Sequence, residues 1–293
     1  MPALHTTKLP SNLASAIGLF RHSRPGLSAP ALMPRVERAV SNAQVDSAWL
    51  AAYRACVGLP EDTFGLPPLA LQIAAAPLHL SILADAKFPF RALGLVHLSQ
   101  QIEQTHVVLP SANVDLMAYT TDARWEKRGM SFGLVTEARV DGELIWTATT
   151  RALALGKSPG GLVPAGLGDA LGAATAPRID ELLEVEENFG RRYAKIAGDL
   201  NPIHQHALLA RPFGFKRAIV HGTWTLARAL AVAGLPRQLH YRFDASFRRP
   251  VELPSQIRIS AFGEIDASRY RVLVQSADRA TTHLRVNFEE FAL

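Results

Sequence analysis

One stretch of the sequence, from Tyr193 to Gly222, gathers residue types that could activate water. Asp199 and the Asn201-Pro202 step predict a turn after a helical segment, because proline disfavours the helical conformation of the residue before it. His204 follows just past this turn, so we expect its imidazole and the Asp199 carboxylate to converge on one water molecule. Such a pair suits addition of water to an activated double bond, or the reverse reaction.

The same chemistry needs a group that stabilises the negative charge developing on a substrate carbonyl. His221-Gly222 lies where a buried helix is predicted to begin. The first backbone N–H groups of a helix are free, and the positive end of the helix dipole lies behind them. Because Gly222 has no side chain, a carbonyl oxygen could approach its amide. The stretch therefore predicts water activation and oxyanion stabilisation side by side.

Each of these residues also has an ordinary structural explanation. Alone, Asp199 would be a turn or cap residue, His204 a packed or surface histidine, and Gly222 a helix-start glycine. Their occurrence together, in this order and spacing, favours the catalytic interpretation, because independent structural features need not converge.

A metal site is the competing interpretation of the histidines. His204 and His206 would point the same way in a strand, and His221 could add a third ligand. Pro202 and the Ala-Leu-Leu-Ala that follows favour a helix start, which separates the two side chains. We therefore expect no metal.

Other residues are less informative. Three basic pairs could contact the phosphates of an anionic carrier: Arg191-Arg192, Lys216-Arg217 and Arg248-Arg249. Such pairs are more often solvated surface. Trp125, Trp146 and Trp224 are expected in the core.

The composition of the whole chain indicates which kind of protein positions this stretch. The 293 residues are 48% hydrophobic and 19% charged, enough for a sizeable core and two domains. A net charge of +5 suits an anionic ligand but lacks the basic runs of nucleic-acid binders. The single cysteine, Cys56, excludes an internal disulfide and fits a cytoplasmic location. Residues 64–86, the most apolar stretch, are interrupted by prolines, so no membrane segment is expected.

The composition also predicts a division of the chain. Residues 156–177 are rich in glycine, proline and alanine, which is typical of a linker. Residues 1–40 hold five prolines and no sustained periodicity, which favours an N-terminal arm. Residues 41–155 and 178–293 are then two domains.

Both predicted domains follow one pattern, an apolar helix and then strand-like alternation. The helices are expected around Leu69–Ala84 and over Gly222–Gly234, and Val-x-Leu-Pro-Ser occurs at 107–111 and 251–255, at the same place in each half. The expected strands lie within 93–110, 113–123, 130–140, 143–155, 239–254, 256–265, 270–277 and 282–291. The sequence predicts a duplicated α+β domain, each copy a buried helix wrapped by an antiparallel sheet.

With these elements in place, a resemblance to a known family is evident. The segments YAKIAGDLNPIH at 193–204, GF at 214–215 and IVHG at 219–222 resemble the signature of the MaoC-like (R)-specific enoyl-CoA hydratases and dehydratases. FRRPVELP at 247–254 resembles the strand that follows the family's central helix. The resemblance covers most of residues 185–293, and the first half resembles the degenerate first repeat of double-hotdog members.

The resemblance implies an α+β double hotdog with two repeats packed as an intramolecular pseudo-dimer. By position, Asp199 and His204 match the catalytic dyad and Gly222 the oxyanion glycine. Asn201 matches the residue that shapes the turn, and Asn201 and His221 are expected to contact substrate. The implied substrate is a trans-2-enoyl thioester of coenzyme A or acyl carrier protein, or its (R)-3-hydroxyacyl counterpart. No metal or redox cofactor is expected.

Two other functions stay open at this point. A hotdog thioesterase would attack the thioester carbonyl and release a thiol, and a non-catalytic module would bind acyl thioesters without turnover. A homodimer of such chains also stays open, because two repeats in one chain satisfy the usual hotdog dimer contact internally. Neither nucleic acid nor membrane is an expected partner.

Overall fold

The computed structural model describes residues 4–5, 24–158, 176–236, 239–263 and 268–291. The strands are β1 Leu4–His5, β2 Glu37–Val45, β3 Val96–Gln104, β4 Val114–Glu126, β5 Gly129–Val140, β6 Glu143–Leu155, β7 Ile179–Val185, β8 Tyr241–Phe247, β9 Ser255–Phe262, β10 Arg269–Ser276 and β11 Thr282–Glu290. The α-helices are α1 Ser47–Val57, α2 Ala70–Ala74, α3 Ala76–Ala84, α4 Phe189–Ala197, α5 Ala207–Ala210 and α6 Gly222–Ala233. Single 3-10 turns occur at Pro30–Leu32, Pro202–His204 and Arg211–Phe213.

The strands of the described residues form one continuous sheet, in the order β1-β2-β4-β5-β6-β3-β8-β11-β10-β9-β7. Apart from the two-residue β1, each half contributes five strands with the same arrangement. Numbered within its own half, the order from outer edge to centre is 1-3-4-5-2 in both. The halves meet where β3 pairs antiparallel with β8. This duplicated α+β topology is the predicted double hotdog.

The central helix of the second half is α6, and its sequence explains its position. Leu226, Ala229 and Leu230 are fully buried, because the helix is apolar nearly all round and packs against β9 and β10. Its C-terminus is closed by Gly234 in the left-handed conformation. The predicted helix over 222–234 is confirmed.

The corresponding helix of the first half is interrupted. The sequence predicts one helical stretch around Leu69–Ala84, whereas the structure has α2 and α3 separated at Ala75. Pro77 lies in the first turn of α3, where a residue without an N–H is tolerated. In the interior of one continuous helix the same proline would remove a hydrogen bond and clash with the preceding turn. Pro77 therefore explains why the helix is interrupted.

The helices α1 and α4 are equivalent elements of the two repeats. Each follows the first strand of its half, carries a fully buried tyrosine and ends at a left-handed glycine, Gly58 or Gly198. They pack together, and Trp49 Nε1–H donates to the Ile196 carbonyl oxygen at 2.9 Å. After the glycine the halves differ, because Asp199 follows Gly198 and Leu59 follows Gly58. The acidic residue is present in the second repeat alone.

The eight strands expected from alternation are all present, but three strands at the two ends of the sheet, the short β1 together with β2 and β7, were not predicted. The alternation of β2 and β7 was not recognised in the sequence. Both have alternating exposed positions rich in polar residues. Strand β2 begins at Glu37, just before the predicted boundary at residue 41, and pairs with β4. Residues 159–175 of the predicted linker, and residues 1–3 and 6–23 of the predicted arm, lie outside the described residues. The domain division stays a prediction.

Within the described ranges, every helix is too short or too polar to cross a membrane.

Candidate active site

Asp199 lies just past the C-terminal end of helix α4. The helix ends at Gly198, whose φ of 67° lies in the left-handed region that glycine adopts without steric penalty. Asp199 Oδ1 then accepts the backbone N–H of Asn201 at 3.0 Å, and Asn201 Oδ1 accepts that of Ile203 at 3.4 Å. These two local bonds fix the turn and start the short helical turn Pro202–His204. Asn201 thus caps the element that carries His204.

His204 lies close to α4 because residue 190 is glycine. A Cβ at position 190 would be 2.1 Å from the carbonyl oxygen of His204, far inside van der Waals contact. Any side chain there would push the turn away from α4. Gly190, which sequence reasoning did not single out, is therefore a requirement of the site's geometry.

Asp199 and His204 face each other across a gap that suits one water molecule. Oδ2 of Asp199 lies 3.8 Å from Nε2 of His204, which is too long for a direct hydrogen bond. One water oxygen could lie at about 2.8 Å from both atoms. The carboxylate side chain is 48% exposed and the imidazole 9%, so Asp199 projects into open space while His204 forms part of the wall.

The protonation of His204 follows from its partners. Nδ1 lies 2.8 Å from the Ile219 carbonyl oxygen, which only accepts, so Nδ1 carries a proton. Burial lowers the pKa of His204, although the Asp199 carboxylate and the Ile219 bond act in the opposite direction. The ring is therefore neutral, with the lone pair on Nε2, the atom that faces Asp199.

The Ile219 carbonyl is held by a short bridge between chain segments. Val220 N–H donates to the Val251 carbonyl oxygen at 2.9 Å, and Leu253 N–H donates to Ala218 at 2.8 Å. Ile219 N–H in turn donates to the carbonyl of Ile203 at 3.0 Å. The VELP segment at 251–254 thus fixes the acceptor that sets the His204 tautomer.

His221 lies behind the dyad. Its ring stacks on His204 with centroids 3.6 Å apart, and its Nε2–H donates to the Asp199 backbone carbonyl at 3.2 Å. Burial, and then the neighbouring His204, lower the pKa of His221 to about 3. The side chain is neutral and 3% exposed, and its buried Nδ1 has no hydrogen-bond partner in the described part of the chain.

Asp199, His204 and His221 also form the one three-residue group of metal-ligating types found among the described residues. The His221 nitrogen nearest to Asp199 carries a proton, because it donates to a carbonyl oxygen. A carboxylate oxygen and the His204 Nε2 lone pair are then the donors facing each other, fewer than the three protein ligands typical of a catalytic zinc site. His206 points elsewhere, since its Nδ1 accepts the Leu208 N–H at the start of α5.

Gly222 is the first residue of α6, and no acceptor for its backbone N–H is found in the described residues. A Cβ at this position would lie 3.0 Å from Cε1 of Phe247, so the phenyl ring packs directly on the glycine. The arrangement leaves a bare amide at the positive end of a buried helix, next to His221. Such an amide can bind an oxyanion.

All five residues predicted for the site line one cavity of about 870 Å³: Asp199, Asn201, His204, His221 and Gly222. Its walls come from both halves, with the segment 89–97 and Leu155 from the first and the segments 199–204, 212–215 and 247–251 from the second. The cavity therefore lies at the junction of the two repeats.

His97, from the first half, was missed by sequence reasoning. It lines the cavity, donates from Nε2 to the Ser99 carbonyl oxygen at 3.1 Å, and packs on Phe247 with ring centroids 4.3 Å apart. Burial lowers the pKa of His97 to about 4. No motif marks it, because its place depends on the pairing of β3 with β8 across 150 residues of chain.

The remaining predictions divide. Arg248 and Arg249 line the cavity, whereas the other two basic pairs do not. Arg192 is paired with Glu186, and Arg191 donates to the Gln205 carbonyl oxygen. Trp146 and Trp224 are buried as predicted, and Trp125 packs partly buried against a separate cluster around Phe88 and Phe132.

The chain has relatives among known proteins. Residues 173–282 match the family model of the MaoC like domain. The chain is 28% identical over 247 residues to 3-hydroxyacyl-thioester dehydratase X of Mycobacterium tuberculosis, covering 84% of this chain and 87% of that protein. It is 27% identical over 173 residues to enoyl-CoA hydratase ChsH3 of the same organism, covering 57% of this chain and 59% of that protein.

The fold has a counterpart among solved structures. The crystal structure of HtdX from Mycobacterium tuberculosis superposes with a TM-score of 0.74 at 24% identity, covering 87% of this chain and 100% of that one. This likeness extends across both halves of the sheet, including the half without the dyad.

Proposed function

We propose that the protein is a hydro-lyase, because residues 173–282 match the family model of the MaoC like domain. It would interconvert trans-2-enoyl thioesters and (R)-3-hydroxyacyl thioesters by adding or removing water. The names of the two relatives, a 3-hydroxyacyl-thioester dehydratase and an enoyl-CoA hydratase, describe the two directions of one such reaction. Both names support a thioester as substrate, and the second supports coenzyme A as its carrier.

The observation that carries the proposal is the 3.8 Å gap between Asp199 Oδ2 and His204 Nε2, in the cavity wall that also presents the Gly222 amide. Both dyad atoms are hydrogen-bond acceptors, so a water between them would donate one hydrogen to each. Its oxygen lone pair is then free to attack the β-carbon of an enoyl thioester. A binding module would have no use for this arrangement.

The chemical step balances without any further reactant. As the water oxygen bonds to the β-carbon, one dyad group takes a proton from the water, and that proton is delivered to the α-carbon. Electron density moves onto the thioester oxygen in between, where the Gly222 N–H and the α6 dipole would stabilise it. Dehydration runs through the same transition state in reverse. Oxidation and reduction are not involved overall, so the proposal invokes no redox cofactor.

The (R) configuration and the roles of Asn201 and His221 are part of the same proposal. Asn201 would keep the turn in the shape that aims Asp199 into the cavity, since its amide oxygen holds the Ile203 N–H. His221 lines the cavity, which is consistent with the predicted contact to substrate, but its hydrogen bond is to the Asp199 backbone. A cytoplasmic location stays a prediction.

The test is an activity assay with a built-in control. Purified protein is incubated with trans-2-enoyl-CoA substrates, and loss of the conjugated thioester is followed together with chiral analysis of the 3-hydroxyacyl product. Asp199→Asn and His204→Gln should each lower kcat by about 100- to 10,000-fold while the fold is retained. His206→Gln is the matched control, because His206 does not line the cavity. Thiol release with an intact double bond would instead identify a thioesterase.

A further inference from the structure

Five arginines line the cavity: Arg24, Arg91, Arg128, Arg248 and Arg249. Arg24 is occupied, since its guanidinium donates to the carbonyl oxygens of Asp85 at 2.6 Å and Phe88 at 3.0 Å near the end of α3. The other four are exposed, and within the described ranges no side-chain hydrogen bond or ion pair is found for them.

The acidic residues offer no compensation. Asp199 is the one carboxylate among the described residues that line this cavity, and it belongs to the dyad. Elsewhere on the surface, arginines are commonly paired, as in Arg192–Glu186 and Arg258–Asp180. Four guanidinium groups without counter-charges around one cavity therefore produce a strongly positive potential there.

The sheet gathers these four residues at one end of the central strands. Arg91 precedes β3, and Arg248 and Arg249 follow β8, the strand paired with β3. On the other side of β3, Val96 pairs with Leu153 of β6.

Arg128 reaches the same end through the neighbouring hairpin. It comes directly before Gly129, the first residue of β5, and Gly129 pairs with Leu155 at the end of β6. Two arginines thus come from each repeat, and all four lie where the cavity meets the end of the β6-β3-β8 strands. We call this set the arginine mouth.

We propose that the arginine mouth binds the phosphate groups of the nucleotide part of a coenzyme A thioester. This inference rests on the proposed function, which supplies the thioester. The acyl part would then extend toward the dyad, and the phosphates would remain at the exposed guanidinium groups.

The number of charges favours coenzyme A over a protein-bound phosphopantetheine. The phosphodiester of a phosphopantetheine arm carries about one negative charge, whereas a phosphomonoester alone carries about 1.5 to 2 and a diphosphate adds about two more. Arginine is suited to such groups because its planar fork of donors matches phosphate oxygens. The four unpaired guanidinium groups match the larger negative charge of coenzyme A.

The assignment gives the degenerate repeat a role of its own. Arg91 and Arg128 belong to the half without the dyad, so that half would contribute carrier recognition while the other contributes chemistry. Of the three basic pairs identified in the sequence, Arg248-Arg249 is the pair that lines the cavity.

The experiment compares two thioesters with the same acyl chain, one on coenzyme A and one on N-acetylcysteamine, which has no phosphate. The quantity measured is the ratio of their kcat/KM values, in the wild type and in two double variants, Arg91→Gln with Arg128→Gln and Arg248→Gln with Arg249→Gln. Each double variant should lower this ratio by about 10- to 100-fold, the effect of losing charge-assisted hydrogen bonds. Arg269→Gln is the control, since Arg269 is an exposed arginine on β10 that pairs with Glu289 and does not line the cavity.

The outcomes separate this inference from the proposed function. Turnover of the N-acetylcysteamine thioester by the wild type tests the proposed function alone. If neither thioester is turned over, titration with free coenzyme A still measures whether the double variants bind it more weakly. An unchanged ratio and unchanged affinity in both double variants would overturn the inference. So would loss of turnover confined to an acyl carrier protein substrate, because the mouth would then serve a protein carrier.

Discussion

The Nε2–H of His221 donates to the backbone carbonyl oxygen of Asp199 at 3.2 Å, while the same ring stacks on His204 at a centroid distance of 3.6 Å. One buried side chain therefore contacts both members of the dyad and directly precedes the glycine whose amide faces the cavity. This relationship suggests that His221 positions the dyad rather than binding the substrate.

Replacement of His221 separates those two roles. His221→Phe keeps a ring that can stack on His204 but removes the donor to Asp199, so kcat should fall by about 10-fold, the net effect of one hydrogen bond, with KM little changed. His221→Gln retains an amide N–H donor and should keep more of kcat. Steady-state kinetics with one enoyl thioester decides: a change mainly in KM, equal in both variants, would favour the predicted contact with substrate.

Gly222→Ala should damage catalysis and packing for separable reasons. The new Cβ would lie 3.0 Å from the Phe247 ring and beside the free amide, so kcat should fall by about 100-fold or more as oxyanion binding is impaired. Adding Phe247→Leu relieves the contact with the ring but does not uncover the amide. We expect that double variant to recover thermal stability without recovering kcat. Recovery of both would mean that the amide has no direct role.

Gly190→Ala tests the approach of α4 to His204. A Cβ placed 2.1 Å from the His204 carbonyl oxygen forces the turn to move, so unfolding free energy should drop by about 1–3 kcal/mol and kcat should drop with it. Gly156→Ala is the matched control, because a Cβ there meets nothing within 4 Å. Chemical denaturation and kinetics of the two variants are compared. Equal effects would mean that the geometry of the site does not require a glycine at position 190.

Acid should destabilise the protein through its buried neutral histidines. The pKa of His221 is lowered to about 3, against about 6.5 for an unfolded histidine, so the unfolded state binds more protons between these values. Above about pH 6.5 the histidine is neutral in both states and does not change the free energy of unfolding. As the pH falls toward 3, the free energy of unfolding decreases by up to about 1.4 kcal/mol per pH unit for each such histidine. Urea midpoints at several pH values should show this slope, and His221→Phe should show a shallower one. An identical slope in the variant would contradict the assignment.

The sequence was sufficient to predict that Asp199, His204 and Gly222 lie together, because these residues are close along the chain. Asp199, His204 and Gly222 are placed by local features, a helix end, an Asn-Pro step and a helix start, each of which leaves a mark in residue type and spacing. Alternation likewise predicted the strands that have one buried face.

The residues that escaped prediction act through contacts between distant segments. His97 reaches the cavity only because β3 pairs with β8, and Arg128 only because a hairpin places Gly129 beside Leu155. Gly190 is one of many glycines in the sequence until the His204 carbonyl is known to lie against it. The edge strand β7 lacks the apolar alternation that marks a strand, since Leu182 lies on its exposed face and Glu181 on the opposite face.

The pairing of β3 with β8 has a consequence for how this molecule can change over generations. In an assembly of two identical subunits, every substitution is made on both sides at once, so a gain in one place is tied to whatever it does in the other. Here both sides are encoded separately along one chain. A leucine occupies position 59 while the equivalent position 199 holds an acid, and each side is free to specialise on its own.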